Sequence, residues 1–358
     1  MYIINILIFI IVFDGIKILF ESFCKYEKGG GEIDKNLCTV LIPAYNAEKF
    51  IMNTINSAYD SGFKEILVII NNTTDNTERI LKENKIKYKN IGKGNKSLAQ
   101  KAGLKLINTP YILLLDADTI IPTQFTLPKM NKDVGAICFC VLPTPKKGLL
   151  NILQSYEYEK SMNIGRKFLG TINSVSCVSG AIGLFKTEVL TQSLKEHSNT
   201  FQGEDLELTL RTLLNGNNIS YSNQIIYTDA PKSILKLFKQ RMFGWGFGGY
   251  RNIPLMIKLL FKKDIRKRLK YDLSYNIISL ILDPFKVLLT ICYLDIKYII
   301  IMYLIYVTIE IFISCRIRNR KVHVILLYPI YNVFNMIMRF ISLIYFVSLK
   351  VFRIKKTK

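Results

Sequence analysis

The period of the apolar positions changes twice along this 358-residue chain. Tyr2 to Phe23 is a nearly continuous apolar run, long enough at helical rise to cross a bilayer. From Cys38 the apolar positions break into short runs separated by amphipathic stretches. Cys38–Ile42, Glu65–Ile70, Lys87–Ile91 and Tyr111–Leu115 are rich in Ile, Val, Leu and Tyr and predict strands. Ala47–Tyr59, Thr77–Asn84 and Ser97–Ile107 predict the helices between them. Such alternation predicts an α/β fold with a doubly wound, mostly parallel sheet covered on both faces. Long apolar stretches return at about 273–294, 297–315 and 322–352.

This pattern divides the chain into a transmembrane anchor (1–23), a polar linker (24–37), an α/β domain (38–231), amphipathic interfacial helices with a basic linker (232–271), C-terminal membrane segments (272–352) and a basic tail (353–358). Within the anchor, Asp14 and Lys17 lie three apart, a spacing at which they pair on one helix face. No basic residue precedes the apolar run and no small-residue cleavage site is evident, which favours an uncleaved anchor over a signal peptide. Asp283, Pro284 and Lys286 interrupt the first C-terminal stretch, and Pro329 and Arg339 the third. Two crossings plus a third segment that is partly interfacial or re-entrant suit these interruptions. Leu235, Leu237 and Phe238, interleaved with Lys236 and Lys239, suit a helix lying on the membrane surface.

The formal net charge of +22 fits nucleic-acid binding or membrane topology. Its distribution favours the second. Lys262, Lys263, Arg266, Lys267, Arg268 and Lys270, then Arg316, Arg318, Arg320 and Lys321, then Arg353, Lys355, Lys356 and Lys358 all flank apolar spans. Cytoplasmic loops and anionic leaflets select this arrangement. A multi-pass cell-membrane protein with its α/β domain in the cytoplasm is expected, with no nucleic-acid partner. The seven cysteines lack zinc-like spacing, Cys138 and Cys140 lie in an apolar run, and His197 and His323 are far apart, so any metal is expected on oxygen.

Ligands of open α/β sheets bind beyond the carboxyl ends of the strands. After the first strand come Pro43, Ala44, Tyr45 and Asn46; after the second, Asn71, Asn72, Thr73, Thr74 and Asp75; after the fourth, Asp116, Ala117 and Asp118. Any one of these clusters is an ordinary turn or helix cap, but three on one edge point to a binding crevice. Asp116 and Asp118 follow an apolar strand directly, and two carboxylates one residue apart suit Mg2+ or Mn2+ carrying the phosphates of a nucleotide.

In order and spacing, Pro43-Ala44-Tyr45-Asn46, the Asn71–Thr77 loop, Asp116-Ala117-Asp118, Gly203-Glu204-Asp205 and the Arg241–Gly249 stretch resemble family 2 glycosyltransferases, from about Cys38 to Gly249. The resemblance implies a GT-A fold and inverting transfer from a nucleotide-sugar donor. It places Pro43, Tyr45, Asn46 and Asn71 in the nucleotide pocket. Asn71 stands where the family usually has an Asp that accepts from uracil, and an amide oxygen also accepts, so a UDP-sugar is expected. It places Asp116 and Asp118 at the metal and diphosphate; Lys93 and Lys96, in a Gly-containing loop, suit point charges beside the diphosphate and equally a solvated lysine loop. Asp205, with Glu204 beside it, is then the base that deprotonates the acceptor. Ser179, Gly180 and Ala181 match a small-residue stretch near the sugar and acceptor. Arg241 and Trp245 match an altered form of the element that contacts acceptor and diphosphate in polymer-forming members, and Trp245 equally suits a membrane anchor. The expected acceptor is membrane-associated, a lipid-linked glycan or a polyprenyl phosphate. The alternatives are a processive polysaccharide synthase and a catalytically silent polybasic membrane scaffold.

Overall fold

The computed structural model describes every residue except Met1, 26–29, Lys93, Phe201, Leu294, 318–320 and 357–358. Lys93, expected near the diphosphate, Glu27 and Lys28 of the linker, and Arg318, Arg320 and Lys358 of the basic flanks therefore lie outside the described residues.

One eight-stranded sheet carries the α/β domain. Its strands are β1 (Cys38–Ala44), β2 (Glu65–Ile70), β3 (Tyr88–Asn90), β4 (Tyr111–Leu115), β5 (Thr119–Ile120), β6 (Val134–Pro143), β7 (Ile182–Lys186) and β8 (Asn218–Thr228). Their spatial order is β3-β2-β1-β4-β7-β6-β8-β5. The β1, β2, β3 and β4 neighbours run parallel, as do β6 and β8. β7 runs antiparallel to both β4 and β6, and β5 antiparallel to β8, so the predominantly parallel sheet that the alternation predicted carries one reversed strand inside it and one at its edge. The reversal has a geometric consequence. An antiparallel strand starts where its neighbour ends, so the loop before β7 is delivered to the carboxyl end of β4. Asp116 N–H donates to Ala181 C=O at 2.9 Å.

The central strands form because they are Ile-, Val- and Leu-rich and buried on both faces: β1 is buried throughout, and Ile112 and Leu113 of β4 are wholly inaccessible. Helices α2 (Ile51–Asp60), α3 (Thr77–Glu83) and α4 (Lys96–Leu104) connect the first four strands. α2 begins four residues later than its apolar pattern predicts. The backbone N–H groups of Ala47 and Glu48 are taken by Thr77 Oγ1 (2.8 Å) and Asp75 Oδ2 (3.1 Å), which hold 46–50 as a turn. Beyond β6, α5 (Leu149–Lys160) passes through a π-helical turn, Ser161–Arg166, into α6 (Lys167–Gly170). α7 (Thr187–Lys195) and α8 (Glu204–Leu214) follow β7. α9 (Ile234–Lys239) leads through a second π-helical turn, Gln240–Gly246, into α10 (Phe247–Leu260). On α9, Ile234 and Leu235 are exposed while Leu237 is buried.

The remaining helices form a bundle: α1 (Tyr2–Ser22), α11 (Lys267–Tyr293), α12 (Ile296–Ser314) and α13 (Val322–Lys356). Among the described residues, α12 and the Val322–Lys350 part of α13 are long and apolar enough to cross a membrane. The predicted breaks do not occur. α11 runs unbroken through Pro284 and α13 through Pro329. The charges that suggested interruption are paired inside the bundle, with Lys286 Nζ 2.9 Å from both Asp14 Oδ2 and Asp283 Oδ1, and Arg339 bonded to Asp283. The expected Asp14–Lys17 pair is likewise replaced. Lys17 turns one helical step on to Glu21 at 2.6 Å, freeing Asp14 for α11, because charges of different helices meet only after packing.

α4 lies close on the sheet because residue 103 lacks a side chain; a Cβ there would stand 2.4 Å from Leu41 Cδ1 and 3.3 Å from Ile69 Cγ1. Gly103→Val should destabilise the domain by about 1–3 kcal/mol through overpacking, read as a lower melting temperature. An unchanged melting temperature would show that this contact is loose.

Candidate active site

Two edge loops are locked together beyond β1 and β2. Asn46 and Asn72 hold left-handed backbone (φ 48° and 55°), which asparagine tolerates better than most residues. Asn46 Oδ1 accepts from Thr74 N–H at 2.8 Å, and Asn46 N–H donates to Thr73 Oγ1 at 3.3 Å. Its carbonyl is thus committed to shaping the second loop. Pro43 pairs with Ile69 within the sheet, Asn71 is buried with its N–H on Ala44 C=O at 3.0 Å, and Tyr45 is 59% exposed.

The acidic residues converge on one ammonium group. Lys96 Nζ lies 2.6 Å from Asp116 Oδ1 and 3.7 Å from Glu204 Oε1, and donates to Gly180 C=O at 2.9 Å. Gly180 N–H in turn donates to Asp205 Oδ2 at 3.1 Å, while Asp205 Oδ1 accepts from Leu206 N–H at 2.8 Å. The Ser179–Ala181 loop thereby joins the end of β4 to the start of α8, with Ala181 N–H 3.4 Å from Ser179 Oγ. Asn95 caps α4 through Leu98 N–H at 3.1 Å, which points Lys96 of the first turn into the cluster.

Charge balance shows in the protonation behaviour. Burial opposes charge on Lys96, but Asp116, Glu204 and Asp205 outweigh it and raise the ammonium above its ordinary range. Burial, then the charge of Asp116, pushes Asp118 up to about 6. Burial and Asp205 push Glu204 up to about 7 against the pull of Lys96. Lys96 thus compensates Asp116, whereas Asp118, whose Oδ1 accepts only weakly from Thr228 Oγ1 at 3.3 Å, remains short of positive charge. Among the described residues no cluster of three or more His, Cys, Asp or Glu forms a complete metal cage. Two carboxylates with no histidine or cysteine completing a cluster, among the described residues, fit a hard cation that keeps its other positions for phosphate and water.

Several positioning residues escaped sequence reasoning. Gly203 starts α8 in left-handed backbone (φ 67°), and a Cβ there would stand 2.7 Å from Gly248 Cα. Asn252 Nδ2 bridges the carbonyls of Gly203 and Gly248, each at 3.0 Å. The acid-bearing end of α8 is therefore seated backbone-to-backbone on α10. His197 is buried, its Nδ1 accepting from Asn199 N–H (3.0 Å), which leaves Nε2 as donor to Glu204 C=O (3.0 Å). Lys101 reaches His197 C=O at 3.4 Å, so it supports this same segment. Gly203 preceding two acids, followed at a distance by Gly248-Gly249, was the available signal.

Arg241 and Trp245 stand apart from that cluster. Arg241 is buried, ion-paired with Glu157 and 3.4 Å from Tyr331 Oη, and its guanidinium lies 3.5 Å from the Trp245 ring centre. Among the described residues neither shares a hydrogen bond or ion pair with the acidic group. The guanidinium expected at an acceptor is used to fix the Trp245 ring, which keeps one half-exposed face.

Two predictions follow from this geometry. Gly203→Ala should abolish turnover and lower the melting temperature, since its Cβ meets backbone that cannot yield; retained activity would show that the α8–α10 seat is dispensable. Burial lowers the His197 pKa from its ordinary value, so the folded state resists the proton that the unfolded chain accepts. The neutral ring then stabilises the fold above about pH 6.5, and that contribution is lost as pH falls. His197→Gln should lose less melting temperature between pH 7.5 and 5.5 than the natural chain, and equal losses would contradict a buried neutral ring.

Residues 39–190 match the family described as Glycosyl transferase family 2. A poly-beta-1,6-N-acetyl-D-glucosamine synthase of Staphylococcus epidermidis is 26% identical over 226 residues, covering 59% of this chain and 54% of the relative. Its Staphylococcus aureus counterpart is 25% identical over 228 residues with the same coverage. The chain thus spans about half the length of these relatives. Among solved structures, a Pyrobaculum calidifontis mannosyltransferase in complex with GDP-Man and Mn2+ superposes with a TM-score of 0.63 at 12% identity, over 96% of this chain and 99% of that one. That likeness gives the GT-A fold. The Asp116-Ala117-Asp118 turn and the loop before β7 both lie inside the segment, residues 39–190, that matches glycosyl transferase family 2, and β8 lies beyond it.

Proposed function

We propose that the chain is an inverting glycosyltransferase that moves a sugar from a nucleotide-sugar, a UDP-sugar by the amide at Asn71, to a membrane-associated acceptor. One observation carries this reading: a single ammonium, Lys96 Nζ, lies within 3.7 Å of both the acid that ends β4 and the acid that starts α8. That shared cation supports a reading in which the β4 acids and the α8 acids act on one bound donor.

In this reading Pro43, Tyr45, Asn46 and Asn71 form the nucleotide end, and Lys96 turns from Asp116 toward the diphosphate. Asp116 and Asp118 would hold Mg2+ or Mn2+, which when bound supplies positive charge to the leaving diphosphate. Ser179, Gly180 and Ala181 face the sugar. Asp205, its carboxylate oriented by the Gly180 and Leu206 N–H groups, takes the proton of the acceptor hydroxyl as that oxygen attacks the anomeric carbon. Attack from the side opposite the leaving diphosphate inverts the centre. Glu204, beside it and partly neutral near pH 7, limits the repulsion around this base. Helices α12 and α13 and the basic collar of Lys262, Lys263, Arg266, Lys267, Arg268 and Lys270 support a multi-pass membrane protein with this domain on the cytoplasmic side.

The names of the staphylococcal relatives favour a second reading, a processive synthase of a polysaccharide. Product length separates the two: long polymer from labelled donor supports processive synthesis, whereas one or a few added sugars support single transfer. Asp205→Asn should lower turnover by about 10²–10⁴-fold while nucleotide diphosphate still binds. Full turnover in that variant would overturn the assignment of the base, and no turnover in the natural chain with any donor would favour a silent scaffold.

A further inference from the structure

Lys96 competes for a carboxylate that a metal ion would need. Its ammonium lies 2.6 Å from Asp116 Oδ1, and its side chain is only 17% exposed, so water offers it little in exchange. The same group donates to Gly180 C=O at 2.9 Å and lies 3.7 Å from Glu204 Oε1. Mg2+ sits about 2.0–2.1 Å from its ligand oxygens. An ion and an ammonium on one carboxylate would therefore repel at close range. Asp118 is the carboxylate left over. Its Oδ1 accepts only from hydroxyls, Thr119 Oγ1 at 3.5 Å and Thr228 Oγ1 at 3.3 Å. One carboxylate with water is a poor site for such ions, which are held by one or two carboxylates together with substrate phosphates.

We propose that Lys96 is an internal counter-cation that makes metal binding conditional on the nucleotide: while it holds Asp116 the ion binds weakly, and an arriving diphosphate draws the ammonium away. The inference rests on the transferase reading and adds to it how the site fills, with the metal entering together with the nucleotide or after it. The attachment of Lys96 suits this movement. Asn95 fixes the start of α4 through Leu98 N–H at 3.1 Å and bonds Asn199 C=O at 2.5 Å, so the backbone of the first turn is held. The flexible four-carbon stem then moves the charge while the helix stays in place. The competing account is a fixed staple, in which Lys96 permanently ties the end of β4 to the start of α8. The two differ in sign. Removing a staple loosens the carboxylates and weakens metal binding, whereas removing a competing cation strengthens it.

The test titrates Mn2+ into the full chain in lipid nanodiscs and follows the EPR signal of the free ion. Without nucleotide, Lys96→Met should bind Mn2+ about tenfold more tightly than the natural chain. Lys96→Gln, which keeps an uncharged donor for the Gly180 carbonyl, should do the same and serves where the Met variant unfolds. Adding Asp116→Asn to either variant should cancel the improvement, because ion and ammonium compete for that carboxylate. With saturating UDP or GDP, and after correction for ion held by nucleotide in solution, the natural chain should gain at least about tenfold in Mn2+ affinity, and the variants less. Folded variants that bind Mn2+ no more tightly than the natural chain would overturn the proposal. So would a natural chain whose Mn2+ affinity ignores both nucleotides. A natural chain that binds neither nucleotide would instead sink the transferase reading itself.

Discussion

The ammonium of Lys96 makes the remaining geometry tolerable. Asp116, Asp118, Glu204 and Asp205 come from two distant parts of the chain, and their mutual repulsion in a partly buried cleft opposes the fold that gathers them. One cation placed 2.6 Å from Asp116 and 3.7 Å from Glu204 offsets much of that repulsion. The compensation is incomplete. Asp118 and Glu204 are both driven toward their neutral forms, so the site retains an appetite for further positive charge. A cleft that is electrostatically satisfied only after another cation arrives suits the binding of an anionic donor together with a metal.

The scaffold achieves this convergence by two backbone devices. The reversed strand β7 carries the Ser179–Ala181 loop to the end of β4, where Ala181 and Gly180 bond Asp116 and Asp205. The contact of Gly203 with Gly248 then seats α8 against α10, linking the acid pair to the helices that lead into the bundle. The acid pair, α10 and the bundle are thus joined through packed backbone, with the contact of Gly203 on Gly248 next to Asp205.

Elements that depend on local pattern were readable from the chain. β2 and β4 occupy the predicted residues because a run of β-branched and leucine side chains between polar turns leaves little choice of boundary. The Asp116-Ala117-Asp118 turn, the paired acids at 204 and 205 and the small loop at 179–181 also meet in one place, since strand order puts their ends on one edge. Features that depend on partners far away in sequence were not readable. Asp14 leaves Lys17 for Lys286, 272 positions on, and Arg241 turns to Glu157. Periodicity reports which face of a helix is apolar but not which helix will cover it, so α11 and α13 looked interrupted although their charges are interior pairs. The antiparallel course of β7 was hidden for the same reason.

The central claim is that this cleft breaks the bond between a sugar and a nucleotide diphosphate. The most direct measurement is release of nucleotide diphosphate by the purified full chain from a panel of UDP- and GDP-sugars, with Mn2+, with Mg2+ and with chelator. The account predicts release from at least one UDP-sugar that stops in chelator and resumes when the ion is restored. Absence of release from every donor, or release indifferent to the chelator, would contradict it.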